Sequence, residues 1–284
     1  MARLLTDHDY LKTIQEDNLN QIIEETRSFM LDAEQAAQSE MIGYLSQRYK
    51  VADIFTNTTT FDATATYYAK NLVQLNADDF NDAASYVLND LVVESGNVYH
   101  APGSISAGAF DAGDWDLLGP QYAFFYVTLP EDEFDLETEY AAGSDVWYNN
   151  HTYTSTKACV GILPTDTAFW TDNGEYSITG ELVTDDSVWT SGDNRNQLIV
   201  LHLVNITLYH LHHRINPRNV PELRRIAYDG NGDIKNAGSA INWLNMVAKG
   251  NVNADLPNIQ PSTGTSIQYG NANDSETFSK NMLW

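Results

Sequence analysis

The chain has 284 residues, 43% of them hydrophobic, a net charge of −24 and a single cysteine, Cys159. That length allows two or three domains, and the apolar fraction is enough for buried cores. One cysteine excludes an intrachain disulfide framework. The charge is unevenly placed: residues 1–50 hold 9 Asp/Glu and 5 Lys/Arg, residues 51–194 hold 24 and 2, and residues 195–284 hold 6 and 8. So acidic a middle repels phosphates, which excludes it as an electrostatic DNA-binding surface. It reads as a solvated face or a non-stick lining. The slightly basic C-terminal part suits an acidic partner surface.

In chain order, Met1 to Leu5 lead straight into polar helix, without the pattern of a signal peptide. Thr6 followed by Asp9 is a capping-box spacing ahead of Tyr10, Leu11 and Ile14. A second short helix carries Leu19, Ile22 and Ile23, with Asp17 or Asn18 as its cap. The third places Phe29, Met30, Ala33, Ala37, Met41, Tyr44 and Leu45 on one stripe. Residues 57–65 are Thr-rich and residues 67–75 read as a strand. A linking strand over 122–129 ends at Pro130, and residues 175–189 add one or two strands. Gly192-Asp193-Asn194 closes the region and caps the next helix.

Residues 195–214 are the most apolar segment. Leu198, Leu201, Ile206 and Tyr209 stand among apolar residues on nearly every face. A helix apolar all round is covered on several sides, which makes it the central helix of a small bundle or one sandwiched between subunits, with these four expected at the subunit or portal interface in the second case. Pro217 stops the helix and Pro221 starts a short one. A last helix runs to Val247 and Ala248, with Gly250 as its C-terminal cap. Residues 251–284 read as an extended polar arm tipped by Met282, Leu283 and Trp284, with Trp284 as a docking residue. No apolar run approaches a membrane span.

The middle contains a repeat, Tyr-x5-Val-x6-Tyr, at Tyr86/Val92/Tyr99 and again at Tyr140/Val146/Tyr153. Ser95-Gly96-Asn97 and Asn149-Asn150-His151 occupy the same place in each copy and read as hairpin turns. A Gly follows (Gly108, Gly161) and then a Trp (Trp115, Trp170). The expected fold is therefore α+β and multi-domain. Residues 1–56 plus 191–250 form a small helical bundle. Residues 57–190 form an inserted all-β region, with repeats at about 80–120 and 130–175. Residues 251–284 form the arm.

Signatures of catalysis are weak. There is no phosphate loop, no Gly-x-Ser-x-Gly elbow and no His-Glu-x-x-His. Asp111, Asp114 and Asp116 read as a solvated acidic loop. His210, His212 and His213 do not share a helix face. Asp229-Gly230-Asn231-Gly232-Asp233 begins like a calcium loop but lacks its Gly and Glu, since Ile234 and Ala240 stand there. The chain reads as a non-enzyme with no cofactor and no metal.

Two resemblances sharpen this reading. Ala33-Glu34-Gln35-Ala36-Ala37 leading to Ile42-Gly43-Tyr44-Leu45-Ser46-Gln47-Arg48-Tyr49, the apolar helix through Leu208-Tyr209-His210-Leu211 to Pro221, and Ala240-Ile241-Asn242-Trp243-Leu244 ending at Lys249-Gly250 resemble the helical head–tail connector proteins of tailed bacteriophages. These are also called adaptor or ring proteins, of Mu-like and crAss-like type. The match covers fewer than half of the residues and departs at the insertion between Tyr49 and Arg195. The resemblance implies a homo-oligomeric ring, commonly a dodecamer, under the portal protein at the virion's head–tail junction. Such a ring receives further tail or ring proteins and lets genomic DNA pass without sequence-specific binding, with no membrane involved. It would be assembled in the bacterial host cytoplasm.

The inserted repeat resembles the small three-stranded carbohydrate-binding modules of chitinases, with their Gly-Asp degraded to Asn89-Asp90 and Gly143-Ser144-Asp145. That resemblance implies sugar or protein contact through Trp115, Trp147, Tyr148 and Trp170, hence an alternative role as a glycan-binding accessory or adhesin. A module this small also needs its Tyr and Trp as core.

Overall fold

A computed structural model describes residues 3–24, 26–230 and 238–259. Among them the fold is mixed α and β, with seven helices and five small sheets. Helices α1 (Asp7–Leu11), α2 (Glu16–Ile22), α3 (Arg27–Leu45) and α4 (Val51–Ile54) come first. Helices α5 (Gln197–Ile215), α6 (Glu222–Asp229) and α7 (Ala240–Ala248) come last. All the strands lie between the two sets. The two ends share one apolar cluster, in which Leu5, Tyr10, Met41, Leu45, Ile199, Leu203, Ile206, Leu208 and Leu244 are fully buried or nearly so.

Local signals explain most helix ends. The Thr6 amide donates to Asp9 Oδ2 at 2.8 Å, as the capping-box spacing predicts. Helix α2 starts earlier than its expected cap, with Gln15 in the cap position. The α5 cap is Asn196, whose Oδ1 accepts from the amides of Leu198 and Ile199 at 3.0 and 3.2 Å. It displaces the expected cap at 192–194 because Asp193 is bound to Arg195. Pro221 precedes α6, and Gly250 follows α7 at φ 74°. The segment after α7 lies against the helices rather than standing free. The Lys50 amide donates to the Pro257 carbonyl at 2.8 Å, and Ala254 and Leu256 are buried in the helical cluster.

The β-region holds three units of one construction, where the sequence repeat predicts two. The first unit is β4 (Leu91–Glu94), β5 (Asn97–His100) and β6 (Asp116–Pro120). The second centres on β9 (Asp145–Tyr148), β10 (His151–Ser155) and β12 (Trp170–Glu175), flanked by β8 (Glu139–Tyr140) and β11 (Cys159–Val160). The third is assembled from separated pieces: β1 (Thr58–Thr60), β2 (Thr66–Tyr68), β3 (Leu72–Gln74), β7 (Phe124–Val127), β13 (Ser177–Thr179) and β14 (Trp189–Ser191). Strand β7 is thus the central strand of a unit, not a linker, because it hydrogen-bonds β3 on one side and β14 on the other.

The correspondence extends to individual bonds. Val73 pairs with Phe125, Val92 with Tyr99, and Val146 with Tyr153. Parallel bridges join Thr60 to Gln74, Asp79 to Val93, and Glu133 to Trp147. Antiparallel bridges join Tyr67 to Ile178, Tyr86 to Ile105, and Tyr140 to Cys159.

The third unit therefore hosts the other two. In the first two units the hairpin turns are Ser95-Gly96 and Asn149-Asn150, all at positive φ, as the Asn/Gly turn signals predict. In the host, residues 76–122 stand where a two-residue turn would be. Leu75 donates to the Ala123 carbonyl at 2.8 Å, and Tyr122 donates to the Leu75 carbonyl at 2.7 Å. Tyr122 has φ 67°, matching Gly96 at 78° and Asn150 at 66°. The first unit is spliced into that turn. The second is spliced between β7 and β13.

Candidate interaction surfaces

Each β-unit is built on one Phe-Tyr-Trp triad. Phe61, Phe80 and Phe134 stack on Tyr67, Tyr86 and Tyr140 at 6.1, 5.6 and 5.4 Å between ring centres. The tyrosines meet Trp189, Trp115 and Trp170 edge-on at 5.2, 5.2 and 5.3 Å. Each tyrosine hydroxyl accepts from the amide five residues earlier, that of Asp62, Asn81 or Asp135, at 2.8, 2.7 and 2.8 Å. An Asp four residues before each Trp turns the chain into it. Asp111, Asp166 and Asp185 accept from the amides two positions on, each at 2.9 Å. Buried Tyr67 and Tyr140 and half-buried Tyr86 keep a polar partner in this way while their rings fill a small core.

That arrangement corrects the sugar-contact expectation for the tryptophans. Trp115, Trp147 and Trp170 are 7%, 7% and 2% exposed, so their ring faces are turned into the protein. Trp147 lies under the Lys70 ammonium, 4.9 Å from its ring centre, and Lys70 in turn pairs with Glu133 at 2.8 Å. These contacts tie the second unit to the host. Tyr148 is half-buried and packs edge-on against Phe134 at 5.7 Å. The first unit carries a half-exposed extra ring, Phe110, as the second carries Phe169 under the Lys157 ammonium. With Phe80, Asn81, Asp82, Glu94 and Ala109 it lines a shallow cleft of about 460 Å³.

The expected interface on α5 is also redistributed. Ile206 is fully buried in the chain's own core, and Leu203, Leu208 and Leu211 join it there. The helix is apolar all round because α3 packs on it together with α1, α2, α6 and α7. Wrapping by a single chain covers most of the faces for which neighbouring subunits are expected, but not the one that carries Leu198 and Leu201. Tyr209 is half-buried and stacked on Tyr228, with ring centres 3.8 Å apart. Tyr228 and His210 both bond Glu40, at 2.7 and 3.0 Å. Leu198 and Leu201 do remain exposed. Trp284, like most of the Asp229–Asp233 loop, lies outside the described residues.

Helices and strands are fastened together at Arg195, a site that the sequence does not announce. All five of its N–H bonds are used. Nη1 donates to Asp9 Oδ2 at 2.7 Å and to the Leu4 carbonyl at 2.8 Å, and Nη2 donates to Asp9 Oδ1 at 3.2 Å. Nε and Nη2 hold both oxygens of Asp193 at 2.9 and 2.7 Å. The guanidinium lies 4.5 Å over the Phe124 ring of β7. Burial opposes the Asp9 charge. Hydrogen bonds and charge from Arg195, helped by the Thr6 amide and Lys12, outweigh it and hold the carboxyl below its usual range. Close by, Thr58 at the start of β1 bonds the Arg3 and Leu4 carbonyls.

Among the described residues no group of three or more His, Cys, Asp or Glu is placed to hold a metal ion, and no helix is long and apolar enough to cross a membrane. No protein-family model matches the sequence, and the comparison with curated proteins returns no match.

Proposed function

We propose that this chain is a structural virion protein, a subunit of the ring that joins the portal of a tailed phage to its tail and extends the DNA channel. One observation carries the reading. The three stretches that resemble the connector family fall on α3 and the turn after it, on α5 with the approach to α6, and on α7. These pack into one apolar cluster although more than 140 residues separate the first from the second. The β-region enters where a connector bundle has a short loop, and it projects to touch other virion proteins. Its strongly acidic surface suits a part that DNA must pass without sticking.

The reading is tested by mass photometry and negative-stain microscopy of the purified protein, by copurification with portal protein, and by locating the β-region relative to the ring axis. Closed rings and portal association are the expected result. A strictly monomeric protein absent from virions would overturn it.

A glycan-binding accessory role has narrower support, the half-exposed Phe80 and Phe110 at the cleft of the first unit. Retention on a polysaccharide column, lost in Phe110→Ala, would favour it over the connector reading.

A further inference from the structure

The α5–α6 corner gathers unpaired positive charge. Residues 214–225 contain four arginines, Arg214, Arg218, Arg224 and Arg225, against one carboxylate, Glu222. Arg214 covers the Phe29 ring at 3.4 Å. Among the described residues, Arg218, Arg224 and Arg225 pair with no carboxylate; Arg48, Lys50, Lys157 and Lys249 are also without one but do not cluster in the sequence as these do, while Arg3, Lys12, Arg27, Lys70 and Arg195 are paired. Arg224 is half-buried with no counter-charge among the described residues, and that burial pulls its pKa down. Between these cations stand two exposed apolar side chains, Ile215 and Leu223, the latter 80% exposed.

The opposite character lies on the first β-unit. Residues 76–121 hold eight Asp/Glu and no Lys or Arg. Val87, Leu88 and Leu117 are exposed there. The turn bearing Val87 and Leu88 is tied to Asp116 through His100, which bonds Asn89 and Asp116 at 3.2 Å each. One rim thus presents carboxylates beside exposed aliphatic groups, as the arginine corner presents guanidiniums beside them.

We infer that the occupant of the α5–α6 corner is the first β-unit of a second copy of this chain. Two copies related by a two-fold axis through either surface would set like charge on like charge. A head-to-tail contact sets Arg218, Arg224 and Arg225 against Asp114 and Asp116. A heterologous contact of that kind repeats around a ring if its rotation closes. The inference rests on the reading that copies assemble, and it moves the contact from the expected Leu198, Leu201, Ile206 and Tyr209 to the charged corner.

The test is a charge swap followed by mass photometry at low and high salt. Wild-type assemblies should weaken as salt rises, because the contact is electrostatic and exposed. R218E/R225E and D114K/D116K should each weaken assembly by at least about tenfold, the scale of a lost close charge pair at an interface. Circular dichroism should show both variants folded. Mixed one to one, they should assemble again, since each then offers what the other lacks. Wild-type assembly with no effect of R218E/R225E, or no recovery on mixing, overturns the inference and leaves the ring reading standing. A wild-type protein that stays monomeric at low salt defeats both.

Discussion

Arg195 and Asp9 stand 186 positions apart in the chain and share a two-pronged contact, with oxygens 2.7 and 3.2 Å from the guanidinium. Both side chains are buried. Truncating one partner of such a pair strands the other's charge, which costs about 3–5 kcal/mol. Arg195→Met and Asp9→Ala should each destabilise the protein on that scale. The double variant should cost less than the sum of the two, as measured by urea unfolding in a double-mutant cycle. The Asp9 carboxyl is held below its usual range in the folded state. Its contribution is therefore complete above the ordinary carboxylate pKa of about 4 and is lost as pH falls through the lower folded value.

A second pH window belongs to His202. It is buried beside Trp243, at 4.6 Å between rings, and burial pushes its pKa down to about 4. The unfolded chain takes up this proton near pH 6.5, while the folded one refuses it until about 4. Stability should therefore decline between those two values, before Asp9 begins to titrate. His202→Phe should flatten that slope. Denaturation midpoints at pH 7.5, 6 and 5 measure it, and an unchanged slope in the variant would remove His202 as the cause.

The first β-unit should be removable. Replacing residues 76–122 with Asn-Gly gives the host a direct two-residue hairpin between Leu75 and Ala123, the turn chemistry that its strand pairing requires. The shortened protein should keep its helical far-ultraviolet signal but unfold at lower urea, because Val93, Val98 and Leu118 of the first unit are buried in the host's own core. If the inferred contact between copies holds, it should also lose assembly.

Removing the triad Trp should have unequal reach. Trp→Ala in a small core costs about 3–5 kcal/mol. Trp115→Ala should open only the first unit to hydrogen exchange. Trp189→Ala removes the core of the host, so exchange should quicken in the host strands and loosen the seating of both guests, Lys70 over Trp147 included. Equal and local effects for the two variants would argue against the nesting.

Two of the three units were legible in the sequence because Tyr-x5-Val-x6-Tyr is contiguous in them. The host is hidden in the sequence because an insertion separates its Val73 from its partner Phe125, and Phe replaces Tyr there. A shorter signal was available. Phe-[Asp/Asn]-x4-Tyr-x5-Val occurs at Phe61, Phe80 and Phe134, and Asp-x3-Trp at Asp111, Asp166 and Asp185. The helices were readable from their periodicity. What covers α5 was not, since an all-apolar helix looks the same wrapped by its own chain or by neighbours. Residues 67–75 read as one strand but split at Lys70, whose φ of 67° turns the chain between β2 and β3. Arg195 resembled any surface arginine, because its partners come from Leu4, Asp9 and Asp193.

The split helical core also sets an order of events during synthesis. Helices α1 to α4 leave the ribosome long before α5, the element they pack around. At translation rates of roughly 5–20 residues per second, the gap lasts on the order of ten seconds. In that interval the β-units can complete their triads while the N-terminal apolar stripe waits open to water and chaperones. The nascent chain becomes whole only when α5 arrives and Arg195 finds Asp9.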